Sequence, residues 1–441
     1  MEKFIVTGGK KLIGQVSVSG AKNVALKALV AACLTDEEVI VKNVPLISDF
    51  FVMVDIIREL GGTITLADHT VTINIKKIEN TKILLEKAAE IRTSAMFLAP
   101  LLARAGKAEI PNPGGCRIGA RPIDRTIEGL QKMGADIFYN SSDGYFHAKA
   151  QMLKGTTYVF EKNTHTGTET MILAAVLAKG QTILENAAEE PEINELIVLL
   201  NQMGAHISRC DSRTIVIDGV AKLHGTVFTI SPDRNEVVTF AIAGIMTEGD
   251  VFVKGANKEG LVEFLEMLDA CGGGFEEKNE GIRFYYKGEL RATDITTSFY
   301  PGFMTDWQSP WVVLMTKAQG TSVIHETVFE SRFGFVDELK KMGAHIALFN
   351  PEVLHPKKVY NFNLDDDNKQ NFHAAKVYGS VSLHDGVVQI SDLRAGATLV
   401  LAAMAAKGTS VIFGVERLDR GYEQFDKRLT LLGADIKREK E

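Results

Sequence analysis

The chain repeats one pattern of hydrophobic and polar positions six times. In each repeat a run that is apolar on nearly every side ends in a turn of small or charged residues and continues into a short β-branched segment. A helix that is apolar all round is buried inside a protein, so each run predicts an inner helix followed by a strand. The six runs begin at Ala28, Phe97, Ile172, Phe240, Trp311 and Leu399.

A glycine marks the end of a second, amphipathic segment in every repeat. In one repeat Ile123, Ile127, Leu130 and Met133 follow one another at spacings of 4, 3 and 3, which places them on one helical face. Glycine just past the last apolar helical residue is typical of a helix C′ position. The six glycines are Gly61, Gly134, Gly204, Gly272, Gly343 and Gly433, at spacings of 73, 70, 68, 71 and 90 residues.

Six units of this size predict an α/β fold of two similar domains, each of three units with its helices inside and its sheets outside. The repeat divides evenly only if the N-terminal strand joins the last three units. We therefore expect one discontinuous domain of residues 1–21 and 231–441. The second domain is expected to span residues 22–230 and to carry the loop of Cys116.

The longest glycine interval predicts a polar, turn-rich surface insertion at about residues 350–378. This insertion contains three successive aspartates, Asp365 to Asp367. Because no further acidic ligand stands at a fixed spacing from them, they indicate a solvated turn rather than a metal site.

Composition and charge narrow the class of protein. The formal net charge of -7 argues against a nucleic-acid-binding surface. Four cysteines lie far apart with no CxxC spacing, which indicates neither a zinc site nor a disulfide framework and favours a reducing cytoplasm. The N-terminus has no apolar signal region, and no stretch reaches the roughly 18 apolar residues of a membrane span. We expect neither export nor membrane insertion.

The stretch PNPGGCRIGARPID, residues 111–124, is the strongest loop signal in the chain. Its prolines and paired glycines exclude a regular helix or strand. Cys116 lies between this turn and two arginines, Arg117 and Arg121, whose positive charge lowers the pKa of a nearby thiol. Taken alone, the pattern also fits a surface loop with an incidental cysteine.

Charged residues at the starts of the six inner helices point to an anionic ligand. The motifs there are SGAKN, EIRTS, HTGTET, SPDRNE, FMTDWQ and SDLRAG. Their Ser, Thr and Asp residues are ordinary N-caps. Lys22, Arg92 and Arg394, however, oppose the helix dipole unless an anion lies between them and the free N–H groups. Several such ends together predict a site for a polyanion, such as a nucleotide sugar with a second phosphate.

These motifs, in order and spacing, resemble those of the UDP-N-acetylglucosamine enolpyruvyl transferases (1-carboxyvinyltransferases). The resemblance covers almost the whole chain and rests on GQVSVSGAKNVAL, PGGCRIGARPID, ENAAEEPEI, PDR, TDWQ, ETVFESRF, SDLRAGATLVLA and LDRGYE. It implies an inside-out α/β barrel fold of two similar domains with the substrates between them. It also implies transfer of enolpyruvate from phosphoenolpyruvate to the 3′-hydroxyl of UDP-N-acetylglucosamine, with release of phosphate. This is the first committed step of peptidoglycan synthesis.

The resemblance also implies roles for individual residues. Asp306 is implied as the base for the 3′-hydroxyl, and Cys116 as the acid at the vinyl carbon and the target of the epoxide inhibitor fosfomycin. Asn23 is implied as a sugar contact that helps to hold the tetrahedral intermediate. The implied phosphoenolpyruvate cations are Lys22, Arg121 and Arg420, with Arg92, Arg332 and Arg394 in the same basic wall. Lys22 and Arg394 thereby join Cys116 and Asp306 as implied catalytic residues.

Contacts to the nucleotide sugar are implied by the same motifs. They fall on Arg121, Pro122, Ile123, Asp124, Lys162, Thr166, Asp233 and Val328. Glu190, Glu330, Asp392 and Leu393 are implied to line the same cleft, either in direct contact or by orienting the arginines. The resemblance implies no cofactor and no metal, and it leaves the oligomeric state open.

Two features depart from the family pattern, and two rival functions remain open. Arg125 and Thr126 stand where the family often has a histidine near the uracil, and the insertion is unusual. Both leave the chemistry intact and bear on nucleotide affinity. One rival is the related shikimate enolpyruvyl transferase, which is not expected to carry a PGGC loop. The other is a catalytically silent paralogue that acts as a binding protein.

Overall fold

The structure is a computed structural model that describes residues 2–115 and 118–440. Its strands are β1 (Glu2–Thr7), β2 (Ile13–Ser17), β3 (Val39–Lys42), β4 (Thr63–Ala67), β5 (Thr70–Asn74), β6 (Lys107–Pro111), β7 (Asp136–Asn140), β8 (Tyr145–Lys149), β9 (Thr157–Val159), β10 (Gln181–Glu185), β11 (His206–Asp211), β12 (Thr214–Asp218), β13 (Thr226–Thr229), β14 (Asp250–Lys254), β15 (Gly273–Lys278), β16 (Gly281–Tyr286), β17 (Ile295–Ser298), β18 (Phe303–Met304), β19 (Thr321–His325), β20 (His345–Phe349), β21 (Ala374–Tyr378), β22 (Val387–Gln389), β23 (Thr409–Phe413) and β24 (Asp435–Lys440).

Helices alternate with these strands along the chain. They are α1 (Lys22–Ala32), α2 (Ser48–Glu59), α3 (Leu85–Glu90), α4 (Leu98–Ala105), α5 (Asp124–Lys132), α6 (His165–Ala175), α7 (Pro191–Gln202), α8 (Arg234–Met246), α9 (Val262–Ala270), α10 (Thr305–Met315), α11 (Val336–Lys341), α12 (Pro356–Val359), α13 (Leu393–Ala405) and α14 (Phe425–Leu431). A 3₁₀ helix, Arg92–Phe97, leads directly into α4.

The described residues divide into two compact units. Unit 1 contains residues 2–19, 118–121 and 232–440, and unit 2 contains residues 20–115 and 122–231. Residues 118–121 belong to unit 1, although the sequence places them in the domain of residues 22–230. The physical reason is a backbone pairing within unit 1, where the Ser331 N–H donates to the Ile118 carbonyl at 3.2 Å.

Each unit has buried helices at its centre, as the apolar runs predict. In unit 1, helices α8, α10 and α13 pack against one another, and every residue of α8 is buried. In unit 2, α4 packs against α6, and the 3₁₀ helix before α4 contacts α1. Each unit has one contiguous apolar core built around these helices. The predicted α/β fold with inner helices is therefore confirmed.

Three sheets flank the helices of each unit. The strand orders in unit 1 are β22-β23-β1-β24, β15-β16-β14-β2 and β18-β17-β19-β21-β20. Those in unit 2 are β13-β3-β5-β4, β6-β8-β7 and β11-β12-β10-β9. Strand β1 pairs antiparallel with β23 and β24, and β2 pairs parallel with β14, with Val16 opposite Val253. Both N-terminal strands therefore lie in sheets of unit 1.

The predicted C′ glycines adopt the left-handed conformation that such a position requires. The φ angles are 99° at Gly61, 93° at Gly134, 95° at Gly204, 90° at Gly272, 89° at Gly343 and 98° at Gly433. An L side chain is strained at these angles, whereas glycine is not. Each glycine ends an outer helix and starts the turn into the next strand, so this prediction is confirmed.

The predicted insertion extends too far at its C-terminal end. Residues 374–378 form β21, which pairs with both β19 and β20, and Ala374 and Ala375 are fully buried. This strand was missed from the sequence because it directly follows a long polar, turn-rich stretch and was assigned to the same insertion. Residues 350–373 do form a mostly irregular excursion. Tyr360, Phe362 and His373 anchor it through ring contacts with one another and with His325.

No helix among the described residues is long and apolar enough to cross a membrane.

Candidate active site

Asp306 lies between two arginines in unit 1. Its Oδ1 is 2.9 Å from Arg332 Nη2, and its Oδ2 is 3.6 Å from Arg394 Nη2. The arginine side chains are only 4% and 8% exposed, whereas that of Asp306 is 29% exposed. Burial opposes the charge of Asp306, yet the two guanidinium groups outweigh it and lower the pKa of the carboxyl to about 2. The site therefore holds a carboxylate that is accessible and ionised.

Two inner helices bring these side chains together. Asp306 is in the first turn of α10 and Arg394 in the first turn of α13, and these helices pack against each other. Asp392 caps α13 by accepting the backbone N–H groups of Arg394 at 3.0 Å and Ala395 at 3.2 Å. Its Oδ1 also lies 3.9 Å from Arg332 Nη1. Asp392 thus caps α13 and also forms a long ion pair with Arg332.

Glu326 supports this cluster and was missed from the sequence. Its buried carboxylate accepts the Thr305 hydroxyl at 3.0 Å and the backbone N–H groups of Val328 at 2.8 Å and Phe329 at 3.1 Å. Burial raises its pKa. Glu326 therefore ties the first residue of α10, next to Asp306, to the turn of Val328.

The described end of the PGGC loop lies against the segment that follows this turn. Ala120 donates its N–H to Glu330 Oε1 at 2.5 Å, and the Arg121 guanidinium lies 5.3 Å from the centroid of the Phe329 ring. A Cβ added at Gly119 would approach the Glu330 carboxylate to 2.3 Å. Glu330 thus contacts loop backbone. Cys116, the implied acid, lies outside the described residues.

Asp233 and Arg420 also belong to unit 1. Asp233 is buried and caps α8, accepting the backbone N–H groups of Asn235 at 2.8 Å and Glu236 at 3.3 Å. Arg420 is half-buried in the turn between the 3₁₀ helix Val415–Arg417 and α14. Leu393 is buried at the start of α13.

Lys22 is ion-paired in unit 2. It is the first residue of α1, and its Nζ lies 2.7 Å from Asp49 Oδ2 in the first turn of α2. Asn23 follows on α1 with a half-buried side chain. A cation at a helix N-terminus is unfavourable alone, so Asp49 supplies the countercharge. Asp49 could not be predicted from the sequence, because the two residues lie 27 positions apart in different helices.

The PGGC loop begins next to Arg92 in unit 2. Arg92 opens the 3₁₀ helix before α4, and a Cβ added at Gly115 would lie 3.3 Å from Arg92 Cβ. Pro122 and Ile123 lead directly into α5, which begins at Asp124. Thr126, the departure from the family pattern, is buried in the first turn of that helix.

A charge cluster involves α6, the helix that carries the predicted nucleotide residue Thr166 and follows Lys162 in the chain. Helix α6 begins at His165, capped by the Thr164 hydroxyl, which accepts the Gly167 N–H at 3.2 Å. His165 Nε2 is 3.1 Å from Glu169 Oε1, whose other oxygen is 3.4 Å from Lys27 Nζ on α1. Burial opposes protonation of His165, yet the charge of Glu169 and that of nearby Glu190 raise its pKa. The sequence reasoning missed this cluster.

The predicted residues therefore form separate groups. The structure brings Asp306, Arg332, Arg394 and Asp392 together in unit 1 and pairs Lys22 with the unpredicted Asp49 in unit 2. Within the part of the chain that the structure describes, no three His, Cys, Asp or Glu side chains are placed to hold a metal ion. The chemistry available is that of an accessible carboxylate and fixed cations.

The chain is similar to known proteins over nearly its whole length. The family model described as EPSP synthase (3-phosphoshikimate 1-carboxyvinyltransferase) matches residues 6–429. UDP-N-acetylglucosamine 1-carboxyvinyltransferase of Koribacter versatilis is 42% identical, covering 99% of this chain and 96% of its own. The protein of that name from Magnetococcus marinus is 41% identical and covers 99% of both chains.

Solved structures show the same fold. The enolpyruvyl transferase NikO from Streptomyces tendae matches with a TM-score of 0.86 at 25% identity, covering 99% of both chains. EPSP synthase from Acinetobacter baumannii matches with a TM-score of 0.74 at 18% identity, covering 100% of both chains, and supports the fold alone.

Proposed function

The chain belongs to the UDP-N-acetylglucosamine 1-carboxyvinyltransferases within the EPSP synthase family, and from this we propose that it transfers enolpyruvate from phosphoenolpyruvate to the 3′-hydroxyl of UDP-N-acetylglucosamine. Phosphate is the second product. We further propose that the reaction takes place in the cytoplasm as the first committed step of peptidoglycan synthesis. The free, buried thiols of Cys33 and Cys271 are compatible with a reducing compartment.

One observation carries the chemical part of the proposal. Asp306 is a half-buried, ionised carboxylate fixed between the guanidinium groups of Arg332 and Arg394. The reaction needs a base beside cations, because a hydroxyl must lose its proton while a triply charged substrate is held. The same three side chains meet both needs.

Asp306 is a poor base while both arginines pair with it, because its pKa is then about 2. Phosphoenolpyruvate brings a carboxylate and a phosphate, which compete for the same guanidinium groups. As these guanidinium groups pair with the anions of the substrate, the pKa of Asp306 rises towards the range of a working base. Binding of phosphoenolpyruvate therefore prepares Asp306 to accept the proton of the sugar hydroxyl.

The steps balance as addition followed by elimination. Asp306 takes the proton from the 3′-hydroxyl, and the oxygen adds to C2 of phosphoenolpyruvate while C3 receives a proton from Cys116. The Cys116 thiolate then takes a proton back from C3 of the tetrahedral adduct, and the bond from C2 to phosphate breaks as the double bond forms. Phosphate leaves with the proton that Asp306 had accepted, which restores both side chains. We assign the anions of phosphoenolpyruvate to Lys22, Arg92, Arg121, Arg332, Arg394 and Arg420. We assign the nucleotide sugar to Asn23, Arg121, Pro122, Ile123, Asp124, Lys162, Thr166, Asp233, Asp306 and Val328.

Release of phosphate from phosphoenolpyruvate tests the proposal with three acceptor conditions. We expect release with UDP-N-acetylglucosamine, and background release with shikimate 3-phosphate or without acceptor. Release that requires shikimate 3-phosphate would instead make the chain a 3-phosphoshikimate transferase, which is the description of the matching family model. Binding of both substrates without any release would indicate a silent paralogue.

A further inference from the structure

The guanidinium of Arg394 is held by a buried tyrosine on the side away from Asp306. Arg394 Nη1 donates to Tyr422 Oη at 3.0 Å, while Nη2 faces Asp306. The Arg394 guanidinium carbon also lies 5.5 Å from the centroid of the Tyr422 ring. Tyr422 is 1% exposed and packs on Phe425. One nitrogen of Arg394 is therefore fixed in the core while the other faces the carboxylate.

The direction of the hydrogen bonds beyond Tyr422 follows from counting protons. The Thr239 hydroxyl donates its one proton to the Asn235 carbonyl at 3.0 Å. In the 2.7 Å contact between Thr239 Oγ1 and Tyr422 Oη, the tyrosine must then be the donor. Burial raises the pKa of Tyr422, so this proton stays in place. The chain runs from Arg394 through Tyr422 and Thr239 to the backbone of α8.

Asn235, the α8 residue whose carbonyl accepts the Thr239 proton, also fixes the helix that carries Asp306. The Asn235 side-chain oxygen accepts the indole N–H of Trp307 at 2.9 Å, and Trp307 follows Asp306 on α10. Asn235 therefore joins the supports of Arg394 and Asp306. Removing one link leaves a buried donor or acceptor unsatisfied, which is costly in a dry interior.

We propose that Tyr422 is a positioning residue for enolpyruvyl transfer, which holds the Arg394 guanidinium in the orientation that receives an anionic group of phosphoenolpyruvate. Arginine carries a flexible side chain, and an oriented guanidinium binds an anion with less loss of freedom. Tyr422 acts through Arg394 and does not touch the substrate itself. The inference rests on the proposed function, because it takes phosphoenolpyruvate as the ligand of Arg394.

The test compares wild type with Tyr422→Phe, which keeps the ring and its packing and removes the hydroxyl. We expect the KM for phosphoenolpyruvate, and its dissociation constant by calorimetry, to rise about tenfold or more. We expect the KM for UDP-N-acetylglucosamine to change less than about twofold. A loss of folded enzyme alone would lower kcat and leave both KM values unchanged.

Two further comparisons separate positioning from a structural role. Thr239→Val removes the acceptor of the tyrosine proton and should raise the KM for phosphoenolpyruvate. Thr239→Ser keeps the hydroxyl and should retain the wild-type KM. In an Arg394→Lys background, Tyr422→Phe should add less than about a twofold effect, because the bonded nitrogen is gone. The matched control is Tyr360→Phe, a buried tyrosine of the same unit whose hydroxyl contacts His325 at 3.2 Å, and it should leave both KM values unchanged.

A Tyr422→Phe enzyme with unaltered affinity for phosphoenolpyruvate would overturn the inference. The inference would also fail if Tyr422→Phe raised the KM for phosphoenolpyruvate by the same factor in the Arg394→Lys background as in wild type. Failure of the proposed function is distinguishable from this. A wild type that binds phosphoenolpyruvate without transferring enolpyruvate contradicts the function, while the calorimetric comparison of wild type and Tyr422→Phe still decides the role of Tyr422.

Discussion

Lys27 Nζ lies 3.4 Å from Glu169 Oε2 between two inner helices of unit 2, where the side chains are 7% and 0% exposed. Charges this deep lose most of their hydration. A buried charge that has lost its partner has nothing to offset that loss, which makes it strongly destabilising. Lys27→Met leaves Glu169 without its lysine. We expect it to lower the free energy of unfolding by about 3–5 kcal/mol in urea denaturation.

The double variant Lys27→Met/Glu169→Leu is the matched control. It replaces both charges by apolar side chains of similar length, and we expect it to recover most of the loss. If Lys27→Met is as stable as wild type, the ion pair does not form.

His165 should make this region sensitive to pH. Its folded-state pKa is raised because Glu169 and Glu190 outweigh the opposing burial. A raised pKa contributes stability that is fully present below the unfolded value of about 6.5 and is lost as pH rises through the folded value. The stability difference between wild type and His165→Gln should therefore shrink as the pH is raised above 6.5. A difference that grows with pH would show that His165 is neutral in the folded protein.

Asp306→Asn should reduce kcat by about 10²- to 10⁴-fold, because the nearly isosteric amide cannot take a proton. The KM for phosphoenolpyruvate should not rise, since Arg332 and Arg394 lose a competing carboxylate. Steady-state kinetics with both substrates measures this. Asp392→Asn, which removes a charge 3.9 Å from Arg332 and can still cap α13, should lose far less kcat. Near-normal turnover of Asp306→Asn would exclude Asp306 as the base.

Gly119→Ala should lower kcat/KM by up to about 100-fold, because the new Cβ would meet the Glu330 carboxylate and displace it from the Ala120 N–H. Gly180→Ala is the matched control. It also has a positive φ, 95°, but its Cβ would have nothing within 4 Å. Equal effects of the two substitutions would attribute the loss to backbone strain rather than to Glu330.

Fosfomycin should inactivate the enzyme by alkylating Cys116, as the family resemblance implies. Burial raises the pKa of Cys33 to about 12 and that of Cys271 to about 11, so neither thiol reacts readily. Cys210 is the exposed competitor. Cys210→Ser should stay sensitive, whereas Cys116→Asp should keep some activity and lose sensitivity. Mass spectrometry of the treated enzyme should find one adduct, and an adduct on Cys210 alone would contradict the assignment.

The sequence predicts well what local pattern determines. The left-handed glycines such as Gly61 and the capped start of α13 were predictable, because a cap or a C′ residue depends on its immediate neighbours. The pairs Lys22–Asp49 and Lys27–Glu169 were not, because each joins two helices whose packing no local pattern shows. Tyr422 was missed for the same reason, since Thr239 lies 183 residues away.

The proposed reaction attaches enolpyruvate to the 3′-hydroxyl of UDP-N-acetylglucosamine. Nuclear magnetic resonance of the product, combined with its mass, tests this most directly. We predict one new vinyl group linked to the sugar through O3′, formed in equal amount with phosphate and lost in Asp306→Asn. An unchanged nucleotide sugar, or a vinyl group found only on shikimate 3-phosphate, would show that the enzyme does not catalyse this transfer.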